Sequence, residues 1–129
     1  MKIKNILVAT DFSNEAYNAL FYATQIFAEN QCTFYLINAY DDIVVSAKNA
    51  LFTGQKVLKK LEATSNENLT KTVHKIILDT ANDKHLFKTI SSKGSLSTLI
   101  SKTLVDYKID LIVLGNKGKT GAKELFMGS

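Results

Sequence analysis

Glycines recur near the carboxyl end of the chain in the pattern Gly115-x2-Gly118-x9-Gly128-Ser129, directly after an apolar stretch over residues 111–114. Glycine leaves the backbone uncovered, and uncovered amides beside the carboxyl end of a buried strand are suited to binding phosphate. Lys119 brings positive charge to the same segment. The pattern therefore predicts a phosphate-binding loop.

Individual members of this loop also have structural explanations. Gly115 alone can serve a turn after the strand, and Lys119 can be a solvated surface charge. The set of Gly115, Gly118, Gly128 and Ser129 together favours phosphate binding over a purely structural role.

A second polar group follows the first apolar run of the chain, Ile6-Leu7-Val8-Ala9. Thr10 and Asp11 end this run, and Ser13 is suited to cap a following helix. Asp11 can be a helix-capping acid, or its carboxylate can contact a ligand or magnesium. The strand-end position favours the ligand interpretation, and Thr10 is the weaker candidate.

The elements that must position these residues alternate between strand and helix. Continuous apolar runs at 6–9, 34–37 and 111–114 predict buried strands, and the alternating pattern over 86–91 predicts an edge strand. Apolar residues at helical spacing predict helices over 14–29 and after Ser95, where the buried stripe is Leu96, Leu99, Ile100, Leu104 and Tyr107. Two further helices are predicted between residues 41 and 84, joined at Ser65-Asn66.

This order predicts an α/β fold, an open parallel sheet with helices on both faces, and a single domain over residues 1–129. Such sheets bind ligands at the carboxyl ends of their strands, where the strand order reverses. Three segments are expected to meet there, namely residues 10–13, 38–40 and 115–118.

Composition narrows the classes of partner. The net charge of +4 comes from scattered lysines, so no nucleic-acid partner is expected. No apolar run approaches the ~20 residues of a membrane span. The start of the chain does not match a signal peptide, and a lone cysteine, Cys32, provides no disulfide framework. We therefore expect a cytoplasmic protein without a membrane partner.

With these motifs placed, the chain resembles the universal stress protein family over essentially its whole length. The residues that carry the resemblance are the Thr10-Asp11-Phe12-Ser13 turn, Gly94-Ser95-Leu96 and the terminal glycine pattern; Ala9 stands where many members have proline. The resemblance implies the Rossmann-like fold of that family and an adenine nucleotide, ATP or else AMP or ADP, with Mg²⁺ as a further expectation.

The resemblance also implies roles for individual residues. Asp11, beside Thr10, would approach the ribose or the metal-bound phosphates, and the backbone of Ala39 would hold the adenine edge. Gly115 would pass under the ribose. The phosphates would be held by the remaining loop positions, which are Gly118, Lys119, Gly128 and Ser129.

One departure concerns the end of the chain. Family members continue after the Gly-Ser pair with a helix and a fifth strand, which are expected to be absent here. We expect a domain truncated at its carboxyl end, with one half of a tandem protein as the alternative. A homodimer or a tandem pairing of domains is the expected assembly.

The favoured function is a nucleotide-binding regulatory protein of the stress response, without a catalytic residue and with slow ATP hydrolysis at most. The alternative is a nucleotide-free dimeric or tandem interaction module of the same fold. A Walker A loop is rejected because Val113 stands where its first glycine is needed. A phosphorylated receiver domain is rejected because Asp11 lacks an acidic neighbour and Ser91-Ser92-Lys93 lacks an acceptor aspartate.

Overall fold

Strands and helices alternate along the chain, as its apolar pattern predicts. The structure, a computed structural model, describes residues 2–40, 54–115 and 123–127, and for residues 54, 55 and 123–127 it describes the backbone alone. The elements in chain order are β1 (Asn5–Ala9), α1 (Asn14–Ile26), β2 (Cys32–Tyr40), α2 (Gly54–Thr80), β3 (His85–Lys93), α3 (Leu96–Tyr107), β4 (Leu111–Gly115) and β5 (Lys123–Met127).

The described strands form one sheet with the order β3-β2-β1-β4-β5. The first four strands are parallel, with Val8 of β1 opposite Leu36 of β2 and Val113 of β4. The chain runs outward from β1 to β3 and then returns to place β4 on the other side of β1. This reversal puts the topological switch point between β1 and β4, and it confirms the parallel α/β fold.

Helices cover both faces of the sheet. On one face, Ala19, Ala23 and Leu69 from α1 and α2 pack against Phe34 and other buried strand residues. On the other face, Leu99 of α3 packs against the second strand-face cluster, which includes Leu7, Tyr35 and Ile37. The predicted stripe of α3 is buried at its centre, whereas Leu96 and Tyr107 at its two ends are 41% and 42% exposed.

The predicted helix starts are confirmed by their capping bonds. The Ser13 hydroxyl accepts a hydrogen bond from the Ala16 amide at 3.1 Å, and the Ser95 hydroxyl accepts one from the Thr98 amide at 3.3 Å. These side-chain acceptors satisfy amides that have no partner within the helix.

Helix α1 ends at Ile26, earlier than the predicted residue 29. The carbonyl of Phe27 bonds to the His85 ring, and the carbonyl of Ala28 accepts a hydrogen bond from Asn82. Because these carbonyls are held by the segment that leads into β3, the chain turns toward the sheet instead of continuing as a helix.

The predicted joint at Ser65-Asn66 is wrong, because one continuous helix spans Gly54–Thr80. Ser65 is 3% exposed and lies in the middle of that helix, between the buried Leu69 and the partly buried Leu61. The preference of serine and asparagine for caps was outweighed by the burial of one helix face against the sheet.

The structure adds a strand that the sequence analysis did not predict. Residues 123–127 pair antiparallel with β4, with Gly115 opposite Lys123 and Leu111 opposite Met127. The sequence analysis treated these residues as loop, and that interpretation is corrected. The physical reason is that β4 would otherwise present a row of unpaired backbone groups, which this return strand satisfies. The expectation about the helix and strand that follow Gly128-Ser129 in family members concerns a later segment and stays a prediction.

None of the helices in the described part of the chain is long and apolar enough to cross a membrane.

Candidate functional site

A cleft of about 300 Å³ lies at the carboxyl ends of β1, β2 and β4. The structure thus brings together parts of all three segments that were expected to meet at the switch point. A volume of this size suits a small organic ligand. The described residues that line the cleft are Ala9, Thr10, Asp11, Asn38, Ala39, Leu96, Leu114 and Gly115.

The turn after β1 is built by its own side chains. The Thr10 hydroxyl accepts a hydrogen bond from the Phe12 amide at 3.0 Å, and the Asp11 carboxylate accepts one from the Ser13 amide at 2.9 Å. Between them, Phe12 has a φ of +68°, in the left-handed region that L-residues rarely adopt. Phe12 packs against the hydrophobic core, which helps to hold this conformation.

Asp11 therefore has a structural role in the turn, although the residue that caps the helix is Ser13. Its carboxylate stabilises the turn through the Ser13 amide, and its side chain is exposed at the wall of the cleft. A carboxylate held this way is fixed in position before any ligand arrives, so its structural role is compatible with a binding role.

Ala39 presents backbone groups to the cleft. Along β2, the odd-numbered residues Thr33 and Ile37 direct their backbone groups toward β1, as the hydrogen bonds Thr33 N–H to Lys4 O and Thr10 N–H to Ile37 O show. Because alternate residues of a strand point to the same side, the N–H and C=O of Ala39 point there too. At that level β1 has already ended, so these groups face the space where the cleft lies.

Gly115 has a clear packing reason to be glycine. A Cβ at this position would lie 2.6 Å from the Cα of Ala16 and 2.9 Å from the carbonyl oxygen of Glu15. Both neighbouring atoms belong to the backbone of α1, so they cannot move aside as a flexible side chain would. The end of β4 thus approaches the first turn of α1 closely, and any contact of Gly115 with a ligand would be made by its backbone.

A polar network behind the cleft was missed by the sequence analysis. The Asn38 amide nitrogen donates to the Thr10 carbonyl at 2.8 Å, and the Ser65 hydroxyl donates to Asn38 Oδ1 at 2.8 Å. The hydroxyls of Ser65 and Ser91 lie 2.7 Å apart. The signal for Ser65 was its spacing, because it falls on the same helical stripe as Leu58, Leu61 and Leu69.

A smaller hollow of about 160 Å³ lies on the other side of the Thr10–Ser13 turn, bordered by Tyr17, Lys71 and Lys75 among other residues. The Tyr17 hydroxyl donates to Asp79, and the Lys75 ammonium lies 4.2 Å from the centre of the Tyr17 ring. Burial, together with the hydrogen bond to Asp79, raises the pKa of Tyr17 far above its ordinary value. Tyr17 is therefore neutral at physiological pH.

Of the eight predicted binding residues, Thr10, Asp11, Ala39 and Gly115 border one cleft. The other four, Gly118, Lys119, Gly128 and Ser129, lie outside the described residues. Within the ranges that the structure describes, no group of three or more His, Cys, Asp or Glu side chains is placed to hold a metal ion.

The fold defines a doubly wound α/β protein with a cleft at its switch point. The model of the universal stress protein family matches residues 2–129, and the chain belongs to that family. Comparison with curated proteins finds no match.

Solved structures agree with this assignment. Universal stress protein UspA from Lactobacillus plantarum is 26% identical, with a TM-score of 0.70 over 92% of this chain and 81% of that one. The hypothetical protein MJ0577 is 24% identical, with a TM-score of 0.70 over 99% and 85% of the two chains. A universal stress protein described in complex with cAMP is 17% identical, with a TM-score of 0.58 over 91% and 75%.

Proposed function

We propose that this universal stress protein binds an adenine nucleotide, ATP or else AMP or ADP, in the switch-point cleft and acts as a nucleotide-responsive regulator. The observation that carries the proposal is the meeting of Asp11, Ala39 and Gly115 around one cleft of about 300 Å³. The structural neighbour that is described with cAMP supports an adenine nucleotide as the class of ligand.

The proposed pose follows from the chemistry of the lining. The N–H and C=O of Ala39 suit the donor and acceptor groups along the edge of adenine, and the backbone of Gly115 suits the close approach of a ribose. Asp11 accepts hydrogen bonds from ribose hydroxyls or contributes one oxygen ligand to a phosphate-bound Mg²⁺. Magnesium would neutralise phosphate charge in this pose.

The phosphates then extend toward the segment that carries Gly118, Lys119, Gly128 and Ser129. This part of the proposal rests on the glycine spacing and the lysine charge in the sequence. We assign binding and no catalytic step to these residues. A cytoplasmic location and a dimeric or tandem assembly belong to the same proposal.

One observation favours the alternative, a nucleotide-free interaction module of the same fold. The packing of Gly115 against Ala16 explains that glycine without any ligand, which weakens the glycine pattern as evidence for phosphate. The two functions differ in a measurable property, which is whether the protein carries or takes up nucleotide.

The test begins with native protein made from the complete reading frame, extracted with acid and resolved by chromatography. Adenine nucleotide in near-stoichiometric amount supports the proposal. If the preparation is empty, isothermal titration with ATP, AMP and ADP follows, each with and without Mg²⁺. Protein that is empty and also gives no binding heat with any of the three would reject the proposal in favour of the interaction module.

A further inference from the structure

The polar network behind the cleft joins four elements through three side chains. Asn38 and Ser91 are direct cross-strand partners near the carboxyl ends of β2 and β3, and Ser65 reaches them from the buried face of α2. The fourth element is the turn after β1, which Asn38 contacts through the Thr10 carbonyl.

The direction of each hydrogen bond can be assigned by counting protons. The Thr10 carbonyl can only accept, so the amide nitrogen of Asn38 must face it and Asn38 Oδ1 must face Ser65. The single hydroxyl proton of Ser65 is then used on Asn38. Ser91 must therefore donate to Ser65, and the three bonds run in one direction, from β3 toward the turn after β1.

Ser65 differs from three threonines of the same helix. Thr70, Thr72 and Thr80 donate to carbonyls four residues earlier in α2, which is the usual behaviour of a hydroxyl inside a helix. Ser65 is 3% exposed, and its hydroxyl instead donates to Asn38 Oδ1 on the sheet. A buried hydroxyl bonded in this way fixes the orientation of its partner amide.

We propose that Ser65 is a positioning residue for the switch-point cleft, acting through Asn38 on the Thr10 carbonyl and the turn that carries Asp11. Asn38 lines the cleft, whereas Ser65 lies behind it. Without the Ser65 hydroxyl, the Asn38 amide loses one of the two bonds that set its orientation. The Thr10 carbonyl then loses a fixed donor, and the strained turn at Phe12 loses part of its support.

The consequence for ligand affinity rests on the proposed nucleotide function, but the consequence for the turn does not. Ser65→Ala should weaken nucleotide binding about fivefold, which is the effect expected from loss of one ordinary hydrogen bond. It should also speed amide hydrogen exchange at Phe12 and Ser13 in the ligand-free protein. These two amides bond to Thr10 and Asp11 within the turn, so they report on its geometry.

The direction of the hydrogen bonds predicts that three variants weaken nucleotide binding to different degrees. A purely structural contact would not produce this order. Asn38→Asp should weaken binding more than Ser65→Ala, because it places an oxygen against the Thr10 carbonyl oxygen. Ser91→Ala should change affinity less than twofold, because the bond from Ser65 to Asn38 survives. If Ser65 only held α2 against the sheet, Ser65→Ala would lower stability without changing nucleotide affinity or amide exchange at Phe12 and Ser13.

Thr24→Val is the matched control, because Thr24 is a buried hydroxyl residue that donates to Phe21 within its own helix. It should cost stability without changing affinity or exchange at Phe12 and Ser13. The experiment measures dissociation constants for ATP with Mg²⁺, and amide exchange without ligand, in all four variants and the unaltered protein.

The outcomes separate the two proposals. Nucleotide binding by the unaltered protein with equal affinity in Ser65→Ala overturns the positioning role and leaves the proposed function standing. If the unaltered protein binds no nucleotide, the proposed function fails and hydrogen exchange decides the positioning role. Faster exchange at Phe12 and Ser13 in Ser65→Ala than in Thr24→Val supports it, and equal exchange overturns it.

Discussion

Each end of the sheet has a hollow with polar residues around it, and the polar residues have different roles at the two ends. At the amino end, one carboxylate oxygen of Asp110 accepts from the amides of Lys4 and Asn5 at 2.9 and 3.0 Å, and the Asn5 side chain donates to the Tyr107 carbonyl. These bonds tie the entry of β1 to the entry of β4. These polar groups close the fold.

At the carboxyl end, the polar groups shape a turn and direct peptide groups into a cleft. Thr10 and Asp11 hold Phe12 in its left-handed conformation. The backbone of Ala39 faces the space beyond the end of β1. The hollow at the amino end is the larger of the two, about 470 Å³ against about 300 Å³. The proposal of a binding site at the carboxyl end therefore rests on the direction of the backbone groups and not on the size of the hollow.

The largest expected effect tests whether Gly115 is required for packing against α1. Gly115→Ala should lower the free energy of unfolding by about 3 kcal/mol, because the added Cβ overlaps the backbone of α1 at Ala16. Chemical denaturation measures the loss. Adding Ala16→Gly should not restore stability, because the clash is with backbone atoms. A loss below about 0.5 kcal/mol would contradict the packing account.

At the opposite end of the sheet, Asp110→Ala should cost about 2 kcal/mol of stability, because it removes charge-assisted bonds to the amides of Lys4 and Asn5. Nucleotide affinity should stay within twofold of the unaltered protein. A large loss of affinity in a folded Asp110→Ala protein would contradict the account, in which the amino end of the sheet serves stability and the carboxyl end binds nucleotide.

The third prediction separates the two roles of Asp11. In Asp11→Asn, the side-chain oxygen can still accept from the Ser13 amide, so stability should change by less than about 0.5 kcal/mol. The lost charge should weaken ATP–Mg²⁺ binding about tenfold, which corresponds to about 1.4 kcal/mol. Titration calorimetry measures the affinity. The control is Asp106→Asn, an exposed acid near the amino end of the sheet.

Unchanged affinity in Asp11→Asn would limit the role of Asp11 to stabilising the turn. Lost stability in the same variant would mean that the amide does not reproduce the bond to the Ser13 amide within the turn.

The smallest effect concerns Tyr17, beside the turn. Its pKa is raised in the folded protein, chiefly by burial and then by Asp79, above the ordinary value of 10.0. The folded state therefore holds this proton more tightly than the unfolded state does. The resulting stability is fully present below about pH 10 and is lost as the pH rises toward the folded pKa.

Denaturation curves between pH 9 and pH 11 check this effect against Tyr17→Phe, which has no proton to lose. The unaltered protein should lose more stability than Tyr17→Phe as the pH rises. Parallel losses in the two proteins would contradict the raised pKa.

The order of strands and helices could be predicted because the sequence patterns that indicate them involve residues close together in the chain. Continuous apolar runs report strands that are buried on both faces, and Ser13 and Ser95 report helix starts through bonds to amides only three residues away. The meeting of three segments at the switch point then follows from the handedness of parallel crossovers.

The remaining features depend on contacts between distant parts of the chain. Ser65 has the local character of a cap, and the partner of its hydroxyl inside the helix is Asn38 on a strand 27 residues earlier. The reason for Gly115 lies on α1, about a hundred residues earlier in sequence. The pairing of β5 with the edge of β4 likewise depends on a neighbour rather than on local residue preference.

The most direct test of the central claim is a titration of isotope-labelled protein with ATP and Mg²⁺, followed by the backbone amide signals in NMR spectra. We predict saturable shifts at Thr10, Asp11, Ala39 and Gly115, with little change at Asn5, Cys32 and Thr33 at the other end of the sheet. Saturable shifts at the amino end, or no shifts at millimolar nucleotide, would contradict the account.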